Sequence, residues 1–449
     1  MTTPSIAPYN SLPMIQDGDP IPPENEPGKG LPPPDCGPEP VILRQPQHRI
    51  SKRDIDPDAL RIIYRLHSHG FIAYLCGGAV RDLMLGRPPK DFDIVTDARP
   101  GQIKKRFANV FVIGRRFRLA HIHFREGKII EVATFRKDAG PEVESAAIPE
   151  AGRADTRRFY GTPREDAFRR DITINALLYD AVADSVIDYV GGLEDLKQRK
   201  VRTIGDPSER FVEDPVRIWR VLRHAARLGF DIEEATERAI RSHGRLLAQS
   251  SGARLYEELI KDLANETRSV FEALGRFNIL GYILGRAGED LEADPAIFSR
   301  LCALLEIKDR AVAGGLDLSL EETSSLVFWP WMEGLFAGVQ GDMHPILNKA
   351  FEAARTGATL PRSLRANVIQ ILIIVGYMMR ALQTGRMRWS LQKRSHYAQA
   401  SRVFFIIEKG RPPESEESFE SLFRVAYPSE PAEQRHRWRP RRRRRGISA

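Results

Sequence analysis

Asp91 and Asp93, in Lys90-Asp-Phe-Asp-Ile-Val-Thr96, are the pair of residues in this 449-residue chain best placed to do chemistry. In a strand, side chains two apart share a face, so both carboxylates point one way while Phe92 and Ile94 pack on the other side. Two carboxylates held together repel, which raises a pKa unless a cation sits between them. Magnesium prefers oxygen ligands and keeps positions open for phosphate. Such a pair can bridge two ions about 3.5–4 Å apart, one activating a hydroxyl and one holding a triphosphate. Alone, an Asp-x-Asp at a strand end is more often just solvated. Here Gly77-Gly78 lies 13 residues upstream, between a strand pattern and a helix pattern. Glycines there let backbone N–H groups and the helix start approach a phosphate, and Arg81, one turn on, reaches the same anion. The combination is a far stronger signal for metal-assisted binding of a triphosphate than any of its parts.

The elements that must position these residues follow from periodicity and punctuation. Asp56-Pro57 reads as a cap with proline at the first helical position. Leu60, Ile63 and Leu66 then recur at helical spacing up to Gly70. Phe71 to Cys76 reads as a strand, Ala79 to Leu85 as a short helix and Asp91 to Thr96 as a second strand. Val110–Ile113, Ala120–Phe124 and Ile129–Phe135 complete an expected five-stranded mixed sheet. A polar loop is expected over 138–163, a short strand pair near Ala176–Asp188, and an amphipathic helix from Asp214 to Leu228. Residues 230–410 carry helical periodicity without evident chemistry. The expected fold class is α+β: a small mixed-sheet head followed by an elongated all-helical neck and body.

Composition narrows the class. Hydrophobic residues are 42% and charged residues 29%, ordinary globular proportions. Three cysteines (Cys36, Cys76 and Cys302) show neither a disulfide framework nor zinc-ligand spacing, which favours a reducing, cytoplasmic setting. The N-terminus lacks the pattern of a signal peptide. The most apolar run, Ala366 to Met379, is shorter than the ~20 residues of a span and reads as a buried core helix, so no integral membrane association is expected. Residues 1–47 hold 13 of the 31 prolines and read as a disordered arm, with order beginning near His48. The net charge of +8 is matched by eight arginines between Arg435 and Arg445, leaving the remainder formally neutral. A like-charged block with Trp438 among it suits a polyphosphate such as RNA. Arg437, Trp438, Arg439, Arg441, Arg442 and Arg443 are its candidate contacts, against the plainer reading of a solubilising tail.

Five segments, taken in order, carry a resemblance. They are Cys76-Gly-Gly-Ala-Val-Arg-Asp82, Lys90–Thr96, Glu165-Asp-Ala-Phe-Arg-Arg-Asp-Ile-Thr-Ile-Asn-Ala176, Tyr189-Val-Gly-Gly-Leu-Glu-Asp-Leu196 and Glu213-Asp-Pro-Val-Arg-Ile-Trp-Arg220. From about His48 to Leu228 the chain resembles the class II template-independent nucleotidyltransferases, which include CCA-adding tRNA nucleotidyltransferases and bacterial poly(A) polymerases. The resemblance implies that Asp91 and Asp93 hold magnesium, that Gly77, Gly78 and Arg81 hold the triphosphate, and that Asp171 completes the catalytic set. It implies nucleotide contacts for Arg169, Arg170, Asp214, Arg217 and Arg220. Glu131, on the strand Ile129–Phe135, is a candidate third carboxylate or a structural residue.

By itself, Glu213-Asp214…Arg217 is a charged helix start, with acids where the dipole favours them. The resemblance implies that Asp214 and Arg217 read the incoming base. Asp214 can accept from an exocyclic amine while Arg217 donates to the neighbouring ring nitrogen. Adenine and cytosine present that pair; guanine and uracil reverse it. A wrong base leaves a polar group unpaired at a cost of about 1–3 kcal/mol, or ~5–150-fold. ATP-only and CTP-plus-ATP use remain open on this motif. Val112-Ile-Gly-Arg-Arg-Phe-Arg-Leu-Ala-His121 resembles the stretch that marks the poly(A) polymerase branch. Its plainer reading is a strand-turn-strand connection with Arg115, Arg116 and Arg118 solvated. His48–Ile55, Ala253–Glu257 and the arginine-rich end lean the same way, while Ala79 and Cys76 depart from the usual pattern.

The expected activity is addition of AMP from ATP, with magnesium, to RNA 3′ ends without a template, releasing pyrophosphate. The alternatives are a CCA-adding tRNA nucleotidyltransferase and a catalytically silent RNA-binding protein. The expected organisation is an arm over 1–47, a catalytic head over 48–178, a base-reading neck over 179–265, a helical body over 266–412 and an arginine-rich tail over 413–449.

Overall fold

The computed structural model describes residues 39–114, 119–137, 160–264, 266–336, 342–386, 389–414 and 417–426. The arginines and Trp438 of the C-terminal block, and Arg115, Arg116 and Arg118, lie outside the described residues. The chain divides into two compact units between His243 and Gly244.

The first unit is built on one sheet. Its strands are β1 (Val41–Arg44), β2 (Ala73–Cys76), β3 (Asp93–Thr96), β4 (Val110–Ile113), β5 (Leu119–His123), β6 (Ile129–Thr134), β7 (Leu178–Asp180) and β8 (Ser185–Asp188). They lie in the order β1-β8-β7-β2-β3-β6-β5-β4. Only β3 and β6 pair in parallel; every other neighbouring pair is antiparallel. The sheet is therefore mixed, as expected, but has eight strands among the described residues rather than five. The strand pair near Ala176–Asp188 joins it through β7 beside β2, and carries the sheet beyond residue 178. β1 pairs with β8, so the expectation that order begins near His48 is corrected. A four-residue strand between prolines carries too little pattern to be read alone; pairing with β8 makes it.

Helices complete this unit, the first three of them packing on the sheet. They are α1 (Pro57–Ser68), α2 (Gly78–Leu85), α3 (Pro100–Arg106), α4 (Pro163–Arg169), α5 (Gly192–Gln198), α6 (Pro207–Glu213), α7 (Val216–Leu228) and α8 (Glu234–His243). α1 starts as its cap predicts: the Asp56 carboxylate accepts from Asp58 N at 2.8 Å, and Ala59, Ile62, Ile63 and Leu66 are buried. The helix expected from Asp214 instead begins at Val216, with α6 ending at Glu213. Pro215 disfavours helical geometry in the residue before it, and Asp214 is extended (φ −144°, ψ 94°). α7 buries Val216, Ile218, Trp219, Val221 and Leu222, each such side chain contributing about 1.5–3 kcal/mol. A two-stranded parallel pair, β9 (Lys200–Val201) with β10 (Asp231–Ile232), lies apart from the main sheet.

The second unit is helical among its described residues. Arg362–Thr384 is long and apolar enough to cross a membrane by length and composition. It is instead built into this unit's core, with Leu364, Val368, Ile371, Leu372 and Val375 buried, as read for Ala366–Met379. The helix Leu320–Met332, closed by a Ser319/Glu322 capping box, packs against it. Arg402 pairs with the buried Glu322 at 2.6 Å.

Candidate active site

The register of three strands assembles the carboxylates. Cys76, the last residue of β2, lies opposite Asp93, the first of β3. The glycine turn after β2 therefore emerges beside the Asp pair. Asp91 and Phe92 precede the strand, which starts two residues later than expected. On the far side Ile94 lies opposite Val132, so Asp93 and Glu131 are neighbours on one face. Asp93 opens to solvent at its edge, yet the surrounding protein and the negative charges of Glu131 and Asp91 push its pKa up to about 6, against the pull of Arg170. Glu131 is tied to His121 Nε2 at 3.3 Å across the β5–β6 pair.

This donor set fits magnesium. Its carboxylates supply oxygen, and the upward push on Asp93 comes first from burial and then from repulsion by Glu131 and Asp91, both of which a bound cation offsets. No group of three acidic, histidine or cysteine side chains is close enough to form a ready-made metal cage among the described residues. Magnesium does not require one, because one or two carboxylates with substrate phosphates and water complete its shell.

Beside the carboxylates, Gly77 takes φ 72° and opens α2, a conformation that glycine adopts without strain. Its N–H donates to Leu177 O at 3.3 Å, tying the turn to the start of β7. Arg81 is buried. It donates from Nε to Asp82 Oδ1 (2.9 Å), from Nη2 to Asp82 Oδ2 (3.0 Å) and from Nη1 to Asn175 Oδ1 (2.7 Å). A Cβ on Gly78 would stand 3.4 Å from its Nη2. The guanidinium thus lies beneath the glycine turn as a fixed positive charge.

The segment Glu165–Asn175 forms α4 and the 3-10 turn Thr173–Asn175. Glu165 closes a capping box with Thr162. Asp166 is buried and accepts from Arg170 Nε (3.1 Å) and Nη2 (3.0 Å), from Arg136 N (3.1 Å) and from Arg169 Nη2 (3.5 Å). Arg170 also donates from Nη1 to Asn175 O at 3.0 Å and contacts Cys76, so it sits behind the glycine turn. Among the described residues, Arg169 Nε is buried without a hydrogen-bond partner. Burial pushes the Cys76 thiol up to about 11, only partly offset by Arg170.

Asp171 is placed among the arginines of α7. Its Oδ1 accepts from Arg217 Nε at 3.1 Å, and its Oδ2 pairs with Arg220 Nη1 at 2.9 Å. Arg217 further donates from Nη1 to Arg210 O (3.0 Å) and to the Glu213 carboxylate. Asp214 accepts from Val216 N at 3.2 Å, capping α7. Asp171 therefore orients Arg217 and Arg220, and Asp93 draws its negative neighbours from Asp91 and Glu131.

The Tyr189–Leu196 motif is architectural. The Asp188 carboxylate accepts from the N–H groups of Val190, Gly191, Gly192 and Leu193 at 2.9–3.1 Å. A Cβ on Gly192 would lie 2.3 Å from Thr173 O, so only glycine lets α5 close on the turn that carries Asn175. Thr173 Oγ1 donates to Asp195 at 2.7 Å. Asp166, Asn175, Asp188 and His224 were not singled out from sequence. The only signal was that they lie in or beside the quoted motifs.

Comparison with known proteins agrees with this geometry. Residues 73–202 match the family described as "Poly A polymerase head domain". Residues 229–288 match "Probable RNA and SrmB- binding site of polymerase A". The chain is 45% identical over 227 residues to Poly(A) polymerase I of Escherichia coli O6:H1, covering 50% of this chain and 49% of that one. It is 37% identical over 203 residues to the CCA-adding enzyme of Bacillus pumilus, covering 45% and 48%. It thus spans about half the length of the curated relatives it matches. Among solved structures, the Bacillus stearothermophilus CCA-adding enzyme in complex with CTP aligns with TM-score 0.61 and 28% identity over 83% of each chain. The chain is thus similar to poly(A) polymerases and CCA-adding enzymes, with the head-domain match confined to residues 73–202.

Proposed function

We propose that this protein is a poly(A) polymerase that transfers AMP from ATP to RNA 3′ ends and releases pyrophosphate. The observation that carries it is the register joining Gly77-Gly78, Asp93 and Glu131 on one rim of the sheet. Asp91 and Asp93 would hold magnesium, which when bound activates the attacking 3′ hydroxyl and neutralises the triphosphate. Gly77, Gly78, Arg81, Arg169 and Arg170 line or underlie the phosphate side, and Asp214, Arg217 and Arg220 the base side. Most of the rate gain then comes from positioning and charge neutralisation. The C-terminal arginines and Trp438 are proposed to contact RNA, in a reducing, cytoplasmic setting.

The polymerase reading is favoured over CCA addition by the 45% identity to poly(A) polymerases against 37% to a CCA-adding enzyme. CCA addition stands as the second reading because the solved structure quoted above is a CCA-adding enzyme. The test is 3′ extension by the purified protein with single nucleotides and magnesium, on an unstructured RNA and on a tRNA lacking its CCA end. Long ladders with ATP alone on both substrates support the polymerase. Addition of two C and one A confined to the tRNA replaces it with the CCA enzyme. No product on either RNA supports the silent binder.

A further inference from the structure

Asn175 has no part in the scheme above, yet it joins three elements at the back of the glycine turn. Its backbone carbonyl accepts from Arg170 Nη1 at 3.0 Å and its Oδ1 accepts from Arg81 Nη1 at 2.7 Å. Its Nδ2 lies 3.2 Å from Nε2 of His224, on α7. A guanidinium can only donate, so the bond to Arg81 settles which way the Asn175 amide faces. The NH2 group is turned to the imidazole, and His224 Nε2 must be the acceptor. The ring is then neutral, with its proton on Nδ1. The surroundings agree, since burial and the positive charges of Arg81, Arg223, Arg220 and Arg227 hold the His224 pKa well below its ordinary value.

We propose that Asn175 and His224 are positioning residues for the nucleotide: His224 Nε2 holds the Asn175 carboxamide, which holds the Arg81 guanidinium under the Gly77-Gly78 turn. This rests on the nucleotidyl-transfer reading. Asp82 fixes one edge of Arg81 and Asn175 fixes another, which occupies three of its five N–H donors. The charge is thereby set in one orientation before the anion arrives, and no reorganisation is needed when phosphate binds. Thr173 is clamped by Asp195 and by the close approach of Gly192, so the turn presenting Asn175 has little freedom. A protonated His224 would lose the accepting bond and add a fifth positive charge to the cluster.

The experiment measures ATP binding to the full chain by titration calorimetry, beside KM and kcat for ATP in RNA extension. The proteins are wild type, N175A, H224L, H224Q and N175A/H224L. A hydrogen bond to a charged group is worth roughly tenfold or more in affinity. N175A and H224L should therefore weaken ATP binding and raise KM by about tenfold, with kcat at saturating ATP within about threefold. H224Q, whose amide oxygen can accept the same bond, should recover most of the affinity lost in H224L. The double variant should bind ATP no worse than N175A, because both changes break one chain of contacts. Wild-type ATP affinity in N175A overturns the proposal, as does equal damage in H224L and H224Q, which would make the ring a packing element. If N175A does not fold by circular dichroism, the two His224 variants decide between these outcomes. A wild-type protein that binds ATP but extends no RNA overturns the polymerase reading and leaves the affinities to decide this one. One that binds no ATP overturns both.

Discussion

Replacing Asp171 by asparagine separates two roles that its sequence motif leaves together. The structure binds its carboxylate to Arg217 Nε at 3.1 Å and to Arg220 at 2.9 Å. The Arg217 side chain is only 11% exposed, and its remaining acidic partner, Glu213, is 41% exposed. The Arg217 bond is thus charge-assisted and mostly shielded, worth roughly 1.5–3 kcal/mol. The Arg220 side chain is 42% exposed, so solvent screening leaves that pair about 0.5 kcal/mol. D171N keeps one neutral acceptor and should lose about half of this total, ~1–2 kcal/mol of stability. With Arg217 no longer held, ATP KM should rise roughly tenfold and incorporation of GMP and UMP should increase, while kcat for ATP changes little. The assays are urea denaturation and single-nucleotide extension on one RNA. A metal ligand would behave in the opposite way. If D171N abolishes kcat while ATP KM and base discrimination stay normal, the assignment of Asp171 to positioning is wrong.

Other consequences can be measured independently. D91A and D93A should each abolish RNA extension while leaving the circular dichroism spectrum unchanged; near-normal tailing by either would refute the metal-site assignment. G192A places a Cβ about 2.3 Å from Thr173 O, an overpacking that should cost ~1–3 kcal/mol and appear as a lowered denaturation midpoint. Burial pushes the Cys76 and Cys302 thiols up to about 11 from the ordinary 9. The unfolded chain ionises these thiols first, so stability should fall as pH rises from 9 towards 11, and mutation of both to alanine should flatten that fall. In the native protein at pH 8, neither thiol should react with a bulky disulfide reagent.

Much of the first unit was legible because its signals are local. Asp56-Pro57 caps α1 with side-chain and backbone atoms two residues apart. β4, from Val110 to Ile113, coincides with its apolar run. Gly77 carries its meaning in backbone conformation and the Asp pair in its close spacing, although only Asp93 lies in the strand that the two-residue periodicity predicted for both. The strand at Val41–Arg44 was not legible, since its only reason to exist is β8, more than a hundred residues away. The break before α7 was missed because helical periodicity continued across it, although Pro215 carried the contrary signal.

The amino-acid sequence determined which groups are present and which of them lie within a turn or a strand of one another: the glycine turn, the Asp-x-Asp pair and the capped helix starts. Tertiary structure alone decided what those groups face. The register Cys76–Asp93 and Ile94–Val132 sets Glu131 beside Asp93, and α7 folding back onto Asp171 makes that carboxylate a partner of arginines. The meeting of Arg81, Asn175 and His224 from three separate elements is likewise a tertiary outcome. The physical reason is that charge and hydrogen-bonding capacity are written in each residue, whereas their effect depends on distance and burial, which exist only after the chain has folded.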